Sequence, residues 1–311
     1  MQFEKSKLDQ ITTLKNLPTL PHILLKLMEA CNKERGSLKE VSSIAEKDPS
    51  ISVQILKLTN SGYYGPSNKV ENIEKAVTLV GTNAVRNIAI CGSAYEAFNK
   101  DKNDKFFNLK LFWWHSLKCA VLARLISKKI RYNQSDEAYL AGLMHDIGKL
   151  VLWINFPEPY ESLLEMYSEH EDALLGAEKN LVANHYEIGA WLLRRWCFKP
   201  FMSDSVFYHH EPYSRITNAL PLVQIVYVAN ALAQVKIQKK QKAFETAREI
   251  FQFNVTEVED LLTVSDKETQ EVARSLQIEF EPPEKVRNHP SKIDLKKKEE
   301  TIQEIKDVSL L

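Results

Sequence analysis

The chain has 311 residues, 44% of them hydrophobic and 26% charged, with 41 basic residues matched by 41 acidic ones. That is the balance of an ordinary water-soluble globular protein. It excludes a global field that would draw the chain to nucleic acid or to an anionic membrane. The 9 glycines are few for the turns and bulges of a sheet-rich fold, so the composition predicts helices. Cys31, Cys91, Cys119 and Cys197 lie far apart without C-x-x-C spacing, and they read as buried thiols of a reducing compartment. The opening MQFEKSKLDQITTLK lacks the apolar stretch of a signal peptide. No segment approaches the ~20 apolar residues of a membrane span. The expected location is the cytoplasm.

In chain order, Pro21 opens a helix with Ile23, Leu24, Leu27, Met28 and Cys31 on one stripe. Ser37 and Glu40 have the spacing of a capping box, for a helix ending near Lys47. Asp48-Pro49 reads as the cap and first residue of the next helix, ISVQILKLTN. The turn-rich NSGYYGPSN follows, with Gly62, Gly65 and Pro66. Its Tyr63 and Tyr64 either pack between two parts of the fold or form an exposed binding surface. Ile73 to Val80 make a short helix closed by Gly81, and Thr82 caps NAVRNIAICGSAYEAF. The polar NKDKNDK at 99–105 marks a boundary within the chain.

The second half predicts longer helices. One runs from Leu109 to Ile130, and another from Ser135-Asp136-Glu137 through AYLAGLMHDIGKLVLW. PEPYESLLEMY starts at Pro157, LVANHYEIGAWLLRRW stops before Pro200, and Pro212 ends the segment carrying VFYHHE. PLVQIVYVANALAQV reads as a mostly buried helix and residues 254–280 as one more. The basic KIQKKQK at 236–242 is either a solvated helix end or a contact for nucleic acid or acidic partners. From Glu281 the chain is a polar, charged tail, disordered or loosely helical.

The chemistry-bearing feature is His145-Asp146 within LMHDIGKL. It supplies a neutral nitrogen ligand next to a hard oxygen ligand able to bridge two metals. Lys149, four residues after His145 and on the same helical face, either reaches a metal-bound phosphate or forms a structural ion pair with Asp146. His115 lies in the preceding helix, His185 in the following one, and His209-His210 stand just before Glu211-Pro212. His115, beside Trp113 and Trp114, is either a ligand or a packed polar residue. His22, His170 and His289 fall outside the series and read as surface residues.

The order His115, His145-Asp146, His185, His209-His210 resembles the ligand series of HD-superfamily phosphohydrolases, especially the HD-GYP branch. The stretches LPTLPHILLKLME, AEKDPSISVQILKLTNSGYYG and ENIEKAVTLVGTNAVRNIAI, with HEP after the paired histidines, resemble the HDOD domain. That domain is the HD-related output domain of bacterial signalling proteins, and the likeness covers roughly residues 14–280. It implies one metal position from His115, His145, Asp146 and a terminal aspartate, at whose place in VANALA stands Asn230. Asparagine is a neutral and weaker oxygen ligand. The second implied position uses Asp146 as bridge with His185, His209 and His210. HD-GYP enzymes continue into a Gly-Tyr-Pro loop, whereas this chain reads HHEPYSRITNALPL.

The resemblance therefore implies an all-α fold, with an N-terminal bundle of short helices (14–105) packed on an HD-like helical subdomain (106–280), then the tail at 281–311. It implies a bacterial regulatory output module without hydrolase activity, holding one or two divalent metals such as iron or manganese. The expected partner is a signalling protein or a nucleotide, with no membrane and no nucleic acid. With no receiver or sensor domain in the sequence, the input signal is expected from a separate partner. The alternative is a metal-dependent phosphohydrolase acting on a nucleotide or cyclic dinucleotide, with Asp146 and Lys149 in the chemistry.

Overall fold

The computed structural model describes residues 10–33, 37–65, 69–98, 107–167, 171–234 and 237–278. Every regular element among these residues is helical, and the fold is all-α. The predicted boundary at 99–105, the tail from Glu281, His170 and His289 lie outside the described residues.

Five short helices form the N-terminal half: α1 (His22–Asn32), α2 (Leu38–Ala45), α3 (Pro49–Thr59), α4 (Ile73–Val80) and α5 (Thr82–Phe98). Local signals place their ends. Asp48 Oδ1 accepts from the Ser50 and Ile51 amides at 2.9 and 3.2 Å, satisfying two of the donors that open α3. Asn72 does the same for α4 through the Lys75 amide at 2.8 Å. Gly81, at φ 85°, ends α4 in a conformation that costs other residues a Cβ clash. Ser37 precedes α2 but its side chain makes no cap. Glu40, expected to complete a box, instead pairs with Lys33 at 2.7 Å, since an exposed carboxylate finds a better partner in a nearby cation.

The second half comprises α6 (Leu109–Lys129), α7 (Ser135–Met144), α8 (Ile147–Asn155), α9 (Pro157–Met166), α10 (Glu171–Leu181) and α11 (His185–Arg195). It continues with α12 (Pro200–Tyr208), α13 (Tyr213–Ile216), α14 (Pro221–Ala233), α15 (Ile237–Phe251) and α16 (Val255–Ser275). Helix α6 is the spine. Phe112, Trp113, Leu117, Val121, Leu122 and Ile126 are buried on several of its faces, as expected of a helix enclosed by others. It packs against α7, α14 and α16, while α11 sits against both α8 and α12. One continuous apolar cluster runs through both halves, from Leu24 on α1 to Val272 on α16. Tyr63 and Tyr64 join the halves: the Arg124 guanidinium lies 4.8 Å from the Tyr63 ring centroid and 5.6 Å from that of Tyr64. Of the two readings of this loop, packing between parts of the fold is the one observed.

Five sequence expectations need correction. The helix predicted from Ser135 through Trp153 is two, interrupted at His145-Asp146, where Asp146 has φ −102° and ψ 6°. Uninterrupted apolar periodicity hides this break because the buried faces of α7 and α8 are both rich in apolar side chains. LVANHYEIGAWLLRRW becomes helical only at His185, since Asn184 is extended at ψ 151°. Two mostly polar helices, α10 and α15, were not expected beyond a helix end at 236–242. The last helix ends at Ser275, and Gln277 turns left-handed at φ 55°. Of the cysteines, Cys91 and Cys119 are buried but Cys197 is exposed. No described helix is long and apolar enough to cross a membrane.

Gly148 is where α8 and α11 meet backbone to backbone. A Cβ there would lie 1.9 Å from the His185 carbonyl oxygen and 2.9 Å from the Gly189 nitrogen. Neither atom belongs to a flexible side chain, so the helices would have to part. Gly148→Ala is expected to destabilise the protein by ~1–3 kcal/mol or more, read as a lowered midpoint in urea unfolding. A midpoint equal to that of the unsubstituted protein would contradict this close approach.

Candidate metal centre

Five elements deliver side chains to one place. His115 comes from α6, His145 and Asp146 from the α7–α8 break, His185 from the first position of α11, His209 and His210 from the end of α12, and Asn230 from α14. In an uninterrupted helix, neighbouring residues point about 100° apart. The break lets the adjacent His145 and Asp146 face the same cavity.

Asp146 stands in the middle with one carboxylate oxygen toward each group of histidines. Its Oδ2 lies 3.3 Å from His145 Nε2, 3.7 Å from His115 Nε2 and 2.6 Å from Lys149 Nζ. Its Oδ1 lies 3.3 Å from His185 Nε2 and 3.5 Å from His209 Nε2. His115 Nε2 and His145 Nε2 approach to 3.2 Å, and His185 Nε2 and His210 Nε2 to 2.9 Å. Asn230 is buried within hydrogen-bonding reach of the His115 ring. The structure thus brings together every residue that the sequence singled out for this cluster, and it leaves His22 exposed outside it.

The rings are aimed by their other nitrogens. His145 Nδ1 donates to the Gly142 carbonyl at 2.7 Å, and His209 Nδ1 donates to the Val206 carbonyl at 2.6 Å. A carbonyl only accepts, so each Nδ1 carries a hydrogen and the neutral ring presents a lone pair at Nε2. His185 Nδ1 likewise donates to Glu178, at 2.7 Å. Two ring nitrogens held 2.9–3.2 Å apart need a proton or a cation between them. Asp146 Oδ1 and His209 Nε2 are both buried without a hydrogen-bond partner. Buried polar atoms left in that condition are costly, and imidazole and carboxylate are donors suited to a transition-metal ion. The residues fit a metal. The donor atoms of Asp146, His185, His209 and His210 lie within 4.8 Å of one another, as do those of His115, His145 and Asp146.

Glu178 is the member that sequence reasoning missed. It is fully buried on α10, and it accepts from His185 Nδ1, from the His185 amide at 3.0 Å and from the Tyr160 hydroxyl at 3.0 Å. The polar helix in which it lies offered no pattern to single it out. Its place seven residues before His185 was the one available signal, and the extended turn at Asn184 breaks that helical register.

Burial alone would raise the Asp146 carboxyl, but His145 and Lys149 outweigh it and hold the group well below the usual carboxylate range. Burial, with the His145 ring beside it, lowers His115 to about 3. Burial and the neighbouring His210 push His209 well below the ordinary imidazole value. Burial also opposes charge on His145 and His185, yet Asp146 raises the first well above that value and Glu178 raises the second.

The family model described as HDOD domain matches residues 17–212. An uncharacterized protein of Treponema pallidum (strain Nichols) is 23% identical over 222 residues, covering 69% of this chain. The chain spans only 42% of that relative's length. Among solved structures, an HDOD domain protein of unknown function from Geobacter sulfurreducens superposes with a TM-score of 0.67 at 21% identity, over 88% of this chain and 97% of that one. A candidate phosphohydrolase of Shewanella amazonensis SB2B superposes with a TM-score of 0.70 at 22% identity, over 88% of this chain and 98% of that one.

The contacts of Glu178 generate a stability prediction. Removing it leaves the His185 ring, the His185 amide and the Tyr160 hydroxyl without their buried acceptor. Glu178→Ala is therefore expected to cost ~3–5 kcal/mol, measured by urea denaturation. Glu178→Gln, which keeps one acceptor oxygen, should cost less. Equal losses for the two would show that packing volume, rather than these hydrogen bonds, is what the residue contributes.

Proposed function

The chain belongs to the HDOD family, and from that premise we propose that it is a regulatory output module of a bacterial signalling pathway, with a His/Asp metal site that serves structure rather than hydrolysis. One observation carries this reading, the enclosure of the cluster. The side chains of His145, Asp146, His185 and His209 are at most 3% exposed. His115 and Lys149 keep only 20% and 22% exposure at its edge. A hydrolytic ion needs an open coordination position and room for a phosphoryl group, whereas a structural ion is closed in by its ligands. The path after His210 agrees: α13 is a single turn, and only residues 217–220 separate it from Pro221, which starts α14. The Gly-Tyr-Pro loop associated with cyclic dinucleotide hydrolysis has no counterpart there. Asn230 further removes one carboxylate from the set that the family likeness implies. A module of this kind acts by contact, with a cytoplasmic signalling protein or a nucleotide as partner.

Lys149 favours a second reading, a metal-dependent phosphohydrolase acting on a nucleotide or cyclic dinucleotide. Its ammonium stands beside Asp146 at the solvent edge, where it could neutralise charge on a phosphoryl oxygen. In that reading a bound metal supplies an activated water, Asp146 holds the metal, and Lys149 orients the phosphate.

The experiment is metal analysis of protein purified without chelator, followed by thermal unfolding with and without EDTA and an assay on bis(p-nitrophenyl) phosphate. The expected result is bound divalent metal and no turnover. Stripping the metal should lower stability by ~2.7 kcal/mol if the free ion stands near one hundred times its Kd. Turnover abolished by Asp146→Ala would replace the module reading with the hydrolase. Protein that neither carries nor takes up metal would remove the metal site from both.

A further inference from the structure

Helix α10 is fastened to the rest of the molecule by a charged side chain more than by an apolar face. Among the side chains described in α10, Glu178 alone is fully buried, whereas Leu174, Leu175 and Leu181 are only half-buried. A Cβ added at Gly176 would meet no atom within 4 Å, so open space borders that part of the helix. Glu178 accepts from His185 Nδ1 at 2.7 Å, from the His185 amide at 3.0 Å and from the Tyr160 hydroxyl at 3.0 Å. An isolated helix of 11 residues is marginal in water. The place of α10 therefore depends in large part on these bonds, and one end of them is a ring of the metal centre.

We propose that α10 is a lid latched by Glu178, and that its closing is linked to occupancy of the metal centre through the His185 ring. The inference rests on the metal reading above and adds a regulation of that site.

The link lies in the two nitrogens of one ring. His185 Nε2 lies 2.9 Å from His210 Nε2, so a hydrogen stands between the rings when no ion does, and either ring can own it. A neutral His185 that owns it has a bare Nδ1, which faces a carboxylate that only accepts, and the latch loses that bond. An ion on Nε2 excludes this form and keeps the hydrogen at Nδ1, where Glu178 receives it. Outer carboxylates that hold a ligand histidine in this way strengthen metal binding ~10–100-fold. Such coupling is reciprocal: a carboxylate that favours the ion must itself be favoured by the ion, by the same factor. Because Glu178 is the buried anchor of α10, that factor falls on the docking of the whole helix. Local opening of weakly packed segments is the ordinary route by which one part of a protein moves alone, and here an ion would oppose it.

Hydrogen–deuterium exchange of the α10 amides, read by mass spectrometry on the full chain saturated with Mn2+ and on the same protein stripped with EDTA, tests the latch. Bound Mn2+ is expected to slow exchange in α10 by ~10–100-fold. Glu178→Gln should lose most of that dependence and bind Mn2+ more weakly by a comparable factor. Circular dichroism checks that the variant folds. If it does not, Tyr160→Phe takes its place, removing one bond of the latch without touching the histidine; faster exchange in α10 is then expected, and unchanged exchange overturns the latch. Equal α10 exchange with and without Mn2+ in the unsubstituted protein would overturn the inference and leave the metal reading intact. So would a slowing that Glu178→Gln keeps in full, because that is the general stabilisation any bound ligand gives. No bound Mn2+ at all would overturn the metal reading itself.

Discussion

The whole second half of this protein is arranged around one electrostatic constraint. Acceptor atoms from four helices and one helical break face one another across 2.9–3.7 Å in a place that solvent barely reaches. Such an arrangement is stable only if positive charge lies among the acceptors. The chain supplies part of it through Lys149, and Asp146 and Glu178 favour the charged forms of His145 and His185 against the cost of burial. The same donors fit a metal ion, because a divalent ion would satisfy several lone pairs at once where a proton satisfies two.

Two helices solve the problem of aiming an imidazole in the same way. His145 directly follows α7 and His209 directly follows α12, and each ring donates Nδ1–H to the carbonyl three residues back. The last turn of a helix leaves carbonyls without intrahelical partners. Each histidine satisfies one of them and, by doing so, fixes its own tautomer and points Nε2 inward. His185 uses the opposite end of a helix. It opens α11, and its ring and amide are both held by Glu178. The three most buried ligand candidates are therefore positioned by helix termini, which explains why so many short helices end at this one spot.

The histidine series could be read from the sequence because its spacing is independent of how the intervening chain is packed. Predominantly helical structure was equally legible, from scarce glycine and from caps such as Asp48. The break at His145-Asp146 was not. Apolar residues flank it on both sides, and Gly148 is there for close packing against His185. Glu178 was hidden for a different reason. A glutamate in a polar helix is unremarkable until tertiary structure turns it inward, and only the fold of α10 onto α11 does that. Asn230 was visible as a departure from a pattern. The pairing of Lys149 with Asp146 was one of two readings open in the sequence, and the 2.6 Å contact shows that it forms.

The N-terminal half bears on the cluster through α7. At the start of that helix, Asn87 of α5 donates to the Asp136 carbonyl at 2.7 Å, and Arg86 pairs with Glu137 at 3.5 Å with both side chains nearly inaccessible. A buried ion pair of this kind is weak evidence for stability but costly to break from one side. It specifies where α5 sits against α7. At its other end α7 delivers His145, and a ten-residue helix is a rod of ~15 Å. The position of His145 is thus set from two directions, by its own bond to Gly142 and by the grip of α5 on the first turn. Arg124 adds a second tie by holding Tyr63 and Tyr64 against α6, the helix that carries His115. His115 and His145 thus stand on or next to helices anchored to the N-terminal half, whereas His185, His209 and His210 belong to α11 and α12, which pack on each other. The cluster forms where these two parts of the fold meet, with Asp146 reaching a histidine of each through a different carboxylate oxygen.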